Sequence, residues 1–155
     1  MEATVRDLVR INGRKIYSVS PDTTLIDTLR LMADYQIGAV LVLDAGGALV
    51  GIFSERDYAR KSVEREDLGR GTPISELMTP DVITVSPERT VQECMEFVTR
   101  RRIRHIPVAD EANGLIGLVS IGDLVKAALG EKEALLDEKH RLIRQLENYV
   151  SGSSS

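Results

Sequence analysis

The 155 residues carry 20 basic and 24 acidic side chains, a formal charge of −4, so the chain is no polycation built to hold nucleic acid. Hydrophobic residues make up 43% and charged residues 28%, a globular balance rather than a disordered one. With 4% aromatics, no Trp and a single cysteine, Cys94, the core must be aliphatic, and a disulfide framework or a cysteine-based zinc site is excluded.

In chain order, Met1–Arg10 is charged and lacks the apolar run of a secretory signal. Within it Val5–Val9 forms a short leading arm. Ile16–Val19 is a β-rich run that ends at Ser20-Pro21, where a strand ladder cannot continue. Thr24-x-x-Asp27 is the pattern of a capping box, opening a helix with Leu25, Leu29 and Met32 on one face and Gly38 after it. Ala39–Leu43 is an apolar strand, joined through Ala45-Gly-Gly47 to a second strand, Leu49–Phe53. A helix starts near Ser54. The charged stretch Ser62–Thr79 links the two halves of the chain, with Pro73 opening a short helix over Ile74–Met78.

The same elements then return. Val82–Val85 precedes Ser86-Pro87, and Thr90-x-x-Glu93 opens a helix with Val91, Met95 and Val98 on one face and Arg100–Arg102 at its end. His105–Ala109 and Leu115–Val119 are strands around the turn Glu111–Gly114, and a helix starts near Ser120. Beyond it, Leu135, Leu136, Leu142, Ile143, Leu146, Tyr149 and Val150 form one apolar stripe at helical spacing. That stripe packs either on the protein's own module or on a second subunit, and a coiled coil of two heptads alone is marginal. Ser151–Ser155 is Ser/Gly-rich and expected to be a disordered tail. No apolar run approaches the ~18 residues of a membrane span, and cytoplasm is the expected location.

Shifting the sequence by 66 residues aligns Ile16–Lys61 with Val82–Ala127 without a gap. Eleven of the 46 pairs are identical, against roughly three from composition. They include Pro21/Pro87, Thr24/Thr90, Gly51/Gly117, Ser54/Ser120 and Asp57/Asp123. Polar and turn residues therefore recur with the apolar ones, the mark of a duplicated β-α-β-β-α unit. One unit is too small to cover its own sheet, so two copies are expected to pack together over a common core.

These motifs resemble a tandem pair of cystathionine β-synthase (CBS) domains, the Bateman module, in a stand-alone protein. The resemblance rests on Met78-Thr-Pro80, Ile83-Thr-Val-Ser-Pro87, Arg104-His-Ile-Pro-Val108, Asp110 and Gly117-Leu-Val-Ser-Ile-Gly-Asp123. The first copy shows Ser18-Val-Ser-Pro21, Val40-Leu-Val42, Asp44 and Gly51-Ile-Phe-Ser-Glu-Arg-Asp57. It implies an α+β fold of two pseudo-symmetric repeats in one module, plus a C-terminal helix. The expected segments are repeat 1 with its arm (1–61), linker (62–81), repeat 2 (82–130), C-terminal helix (131–150) and tail (151–155).

The resemblance further implies a regulatory module for energy or redox sensing, with no catalysis and no catalytic cofactor. It would bind an adenosine ligand (AMP, or ADP, ATP, NAD or S-adenosylmethionine) in clefts between the repeats. Its partners would be that nucleotide, a second copy joined through the CBS modules, and an unidentified effector protein. No membrane partner is expected, and nucleic-acid binding through Arg100–Arg104 ranks low for want of aromatics. Asp57 and Asp123 are assigned to ribose, and Ser54, Ser120, Arg104, His105 and Arg56 to phosphate. Val19, Thr24, Ile37, Val85, Thr90, Ile103 and Pro107 are assigned to the adenine pocket and its rim.

In Gly-x-x-Ser-x-x-Asp, the glycine would let backbone approach the ligand, and the serine would sit at an anion-binding helix N-terminus. The competing reading of Ser-x-x-Asp is a capping box that satisfies its own helix. Arg104 and His105 are replaced by Gly38 and Ala39 in the first copy, so the two clefts should be unequal. The cleft using Arg104, His105, Ser120 and Asp123 is expected to be the better phosphate binder, the other relying on Arg56 or standing empty. Against an enzyme, no phosphate-cradling P-loop, His-Glu-x-x-His or Gly-x-Ser-x-Gly pattern is present. The alternative reading is a structural interaction module with no physiological ligand.

Overall fold

Threonine side chains start the first helix of each repeat in the computed structural model, which describes residues 2–11, 16–112 and 114–150. Thr24 accepts from the Asp27 amide at 3.3 Å at the head of α2 (Leu25–Tyr35), and Thr90 from the Glu93 amide at 3.1 Å at the head of α4 (Val91–Arg101). The box closes only at Thr90, where Glu93 accepts in return from the Thr90 amide. Asp27 lies instead 3.7 Å from Arg30. Both helices end on a left-handed residue, Gln36 (φ 54°) and Arg102 (φ 55°), so Gly38 is not the terminator its position suggests. The sequence-derived tail, Ser151–Ser155, lies outside the described residues.

In the first repeat, β1 (Ser18–Val19) pairs in parallel with β2 (Ala39–Leu43), which pairs antiparallel with β3 (Leu49–Ser54). The hairpin is held by Asp44, whose Oδ1 accepts from the Gly46 and Ala48 amides, while Gly47 supplies φ 84°. In the second repeat, β4 (His105–Asp110) and β5 (Gly114–Ser120) form the matching hairpin. The strand expected over Val82–Val85 shrinks to one bridge, Val85 to Val108. The cause is legible: Leu41 donates its amide to the Tyr17 carbonyl at 3.1 Å, but the equivalent residue is Pro107, which has no N–H.

Most buried apolar side chains fall into two clusters rather than the single common core expected, with Ala39 and Leu41 of β2 in neither. The first-repeat cluster joins Leu25, Met32, Val40, Val42 and Phe53 to Ile74 and Leu77 of the linker. The second joins Val91, Cys94, Val98, Ile106, Val108, Val119 and Leu124 to Val5, Leu8 and Val9 of α1 (Val5–Ile11). The arm preceding repeat 1 thus completes repeat 2, and the linker preceding repeat 2 completes repeat 1. Backbone bonds seal both exchanges, Val5 N to Arg89 O at 2.9 Å and Ile74 N to Thr23 O at 2.8 Å. Residues 1–61, expected as one unit, therefore contribute to both.

The exchange explains Gly51 and Gly117. A Cβ on Gly117 would lie 2.6 Å from Val9 Cγ2, and one on Gly51 would run into the Met78 side chain. The close approach that these glycines permit is that of the exchanged arms, a correction to the reading that their bareness serves a ligand. After β3, α3 (Glu55–Glu64) leads into the linker, and after β5, α5 runs unbroken from Ile121 to Val150. The expected boundary at 130/131 lies inside that helix, with Gly130 accommodated. Cys94 is 1% exposed in the second cluster, and burial pushes its thiol pKa up, so it is a packing group. No described helix is long and apolar enough to cross a membrane.

Candidate functional site

The polar motif residues sit where each repeat's second hairpin strand turns into its last helix. Ser54 caps α3: its Oγ accepts from the Asp57 amide at 3.2 Å, and Asp57 Oδ2 accepts from the Ser54 amide at 2.9 Å. Ser120 and Asp123 repeat this at the head of α5, at 3.1 and 2.9 Å. The capping reading is therefore physically present in both copies. Each carboxylate keeps capacity beyond it: among the described residues Asp57 Oδ1 accepts only from Thr79 Oγ1, at 3.3 Å, and a carboxylate offers about four acceptor positions.

Each of these helix starts faces the strand entry of the other repeat, which makes two clefts. In the first, of about 480 Å³, Ser120 and Asp123 face Ile37, Gly38 and Ala39, with Tyr17 and Tyr35 as an aromatic wall. The two rings lie 4.5 Å apart at 35°. In the second, of about 290 Å³, Ser54, Asp57 and Thr79 meet Arg56, Arg60, Arg101, Arg102, Ile103 and Arg104. None of its five arginines forms a salt bridge among the described residues. Arg101 stacks over Phe97 at 5.6 Å instead. Five arginines thus line the cleft of Asp57, whereas no arginine or lysine lines the tyrosine cleft among the described residues.

This arrangement corrects the expected grouping. Arg104 does not share a cleft with Ser120 and Asp123; it lines the cleft of Ser54, Arg56 and Asp57. The reason is the architecture: a cleft takes a helix start from one repeat and a strand entry from the other, so neighbours within one repeat separate. His105 lines both clefts. Ile37 and Ile103 occupy matching wall positions, one in each. Val19 packs beside the first-repeat core and Pro107 is buried within β4. Val85 lines a separate groove beside α4. Thr24 and Thr90 cap their helices and line neither cleft.

Sequence reasoning missed Tyr17, Tyr35, Arg60 and Thr79, and it placed Arg101 and Arg102 only at the end of a helix. A signal existed for the tyrosines, which are two of only four in an aromatic-poor chain.

Burial lowers the His105 pKa below its ordinary 6.5, opposed by Asp123 and reinforced by Arg104, with Glu55 and Asp57 acting weakly upward. As pH falls through 6.5 the unfolded chain takes up a proton that the folded chain resists, so this group costs stability on the acid side and nothing above. Urea midpoints at pH 7.5 and 5.5 should fall further for the unaltered protein than for His105→Gln; an equal fall would contradict this.

The two interlocked repeats thus place two polar clefts between them. The CBS domain family model matches residues 4–64 and 74–130, and the chain belongs to that family as a tandem pair. It is 34% identical, over 96% of its length and 72% of the relative's, to the CBS domain-containing protein CBSX3, mitochondrial, of Arabidopsis thaliana. Among solved structures, it superposes with a TM-score of 0.76 on a putative signal-transduction protein with CBS domains from Burkholderia ambifaria, at 43% identity, covering 83% of this chain and 95% of that one. CBSX2, solved in complex with AMP, matches at 29% identity and a TM-score of 0.69, covering 84% and 98% of the two chains.

Proposed function

We propose that this CBS pair is a regulatory module that binds adenosine nucleotides in its two clefts and adjusts a partner or its own assembly. The arginine cleft carries the reading. Arg56, Arg60, Arg102 and Arg104, in no salt bridge among the described residues and lining one cleft with Asp57, suit an anion of two or three phosphates, with Asp57 accepting from the ribose hydroxyls. Its relative CBSX2 was solved with AMP, which supports an adenosine ligand here.

The tyrosine cleft offers Asp123, the Tyr17/Tyr35 wall and the apolar Ile37, and it suits a less charged adenosine ligand such as AMP or S-adenosylmethionine. This keeps the expected inequality of the clefts and transfers phosphate preference to the side of Asp57. The chain acts without catalysis, in the cytoplasm or another reducing compartment, through a second copy and an effector protein.

Thermal-shift screening with AMP, ADP, ATP, NAD, S-adenosylmethionine and GMP tests the reading. A ligand at about a hundredfold above its Kd should raise the melting temperature by about 5 °C or more, with ATP above GMP. If none does so at millimolar concentration, the interaction-module reading takes its place, favoured by the observation that Ser54/Asp57 and Ser120/Asp123 already satisfy each other as caps.

A further inference from the structure

Among the described residues, His105 is the one side chain that lines both clefts. It opens β4 opposite Ser120, and its Cε1 and Nε2 lie 3.9 Å from where a Cβ would stand on Gly38 of the other repeat. Glu55 Oε2 lies at the same distance from that point. The ring is half-buried, and neither of its nitrogens makes a hydrogen bond among the described residues. A polar ring held between two repeats with both nitrogens unengaged is available to a ligand on either side.

The groups that face it are mixed in sign. Burial and Arg104 favour the neutral ring, whereas Asp123 at the head of α5 and Glu55 and Asp57 at the head of α3 favour the imidazolium. Beyond Arg104, the arginine cleft adds Arg56 and Arg60 of α3, Arg101 at the end of α4, and Arg102. The tyrosine cleft holds no basic side chain besides His105 among the described residues. A neutral imidazole has one N–H to donate and an imidazolium two, so only the charged ring can serve an anion on each side. A polyphosphate in the arginine cleft offsets the field of the arginines, and the ring then takes a proton from solvent more readily. Once charged, it meets a monophosphate in the tyrosine cleft as a donor, and a sulfonium there as a like charge.

We propose that His105 couples the two clefts and sets the charge of the ligand taken by the tyrosine cleft. With an anion in the arginine cleft, the tyrosine cleft turns toward AMP and away from S-adenosylmethionine. The coupling rests on the nucleotide reading of the clefts, adds the link between them, and acts equally in both directions. Its sign is diagnostic. The field of a bound polyphosphate alone would disfavour AMP and favour the sulfonium, whereas a charged His105 at closer range does the reverse.

Inorganic tripolyphosphate is the probe for the arginine cleft, and calorimetry of AMP and of S-adenosylmethionine at pH 7 reads the tyrosine cleft. Asp57→Ala is the background, so that neither adenosine ligand takes the other side. Saturating tripolyphosphate should raise the ratio of AMP affinity to S-adenosylmethionine affinity by about fivefold or more. With His105→Gln added, the ratio should stay unchanged or fall. Proton NMR of the two histidines gives a second reading: tripolyphosphate should move the His105 titration midpoint upward and leave that of exposed His140 in place. A ratio that does not rise while all three compounds bind, or an unmoved His105 midpoint, would overturn the coupling and leave the nucleotide reading standing. If tripolyphosphate or both adenosine ligands fail to bind at millimolar concentration, that reading fails and the coupling with it.

Discussion

Gly117→Ala is expected to cost about 2–3 kcal/mol of stability, the range of an overpacked core. The added methyl would meet Val9 Cγ2 at 2.6 Å and Cγ1 at 2.9 Å, and valine has one strongly preferred rotamer in a helix. Val9 is 3% exposed and anchors α1 in the second cluster, so it cannot yield without loosening the exchanged arm. Gly51→Ala should cost less, about 1 kcal/mol, because it meets the unbranched Met78, which can rotate away. Urea denaturation measures both, and Val9→Ala combined with Gly117→Ala should recover part of the loss as a coupling energy. A stable Gly117→Ala protein that has lost ligand binding would instead restore the view that the glycine serves the ligand.

Asp57→Ala should weaken ATP binding by about thirtyfold or more, and two opposing effects decide the sign. Losing the acceptor for two ribose hydroxyls removes two charge-assisted hydrogen bonds, together about 3–5 kcal/mol. Removing a negative charge from an arginine-lined, water-exposed cleft favours phosphate by only about 1 kcal/mol. The first effect wins for a nucleotide and is absent for inorganic tripolyphosphate, which should bind as well or better. The substitution also removes half of the α3 capping box, at about 1 kcal/mol of stability, so melting curves accompany the titration. Asp123→Ala should leave ATP binding at the arginine cleft intact, since Asp123 lines the other.

Much of this was legible in the residues themselves. The 66-residue offset placed both hairpins, both capping threonines and both Ser-x-x-Asp helix starts, because turn and cap chemistry is local. What escaped was long-range. Nothing near Val5 shows that its side chain is buried with Val91 and Cys94, because the exchange of arms satisfies the same apolar pattern as packing at home. The assignment of Arg104 to the wrong cleft has the same origin. The resemblance set the strand that Arg104 begins at the border of the cleft and grouped it with Ser120 of the same repeat, but two interlocked repeats place Arg104 and Ser120 on different clefts. The lost strand at Val82–Val85 was readable in hindsight, since Pro107 stands where Leu41 donates.

Calorimetric titration of ATP into the unaltered chain and into Asp57→Ala, Asp123→Ala and the double variant tests the paired-cleft account most directly. The account predicts tight binding that survives Asp123→Ala, falls at least about thirtyfold in Asp57→Ala, and is undetectable in the double variant. Equal losses in the two single variants, or a double variant that binds ATP like the unaltered protein, would contradict it.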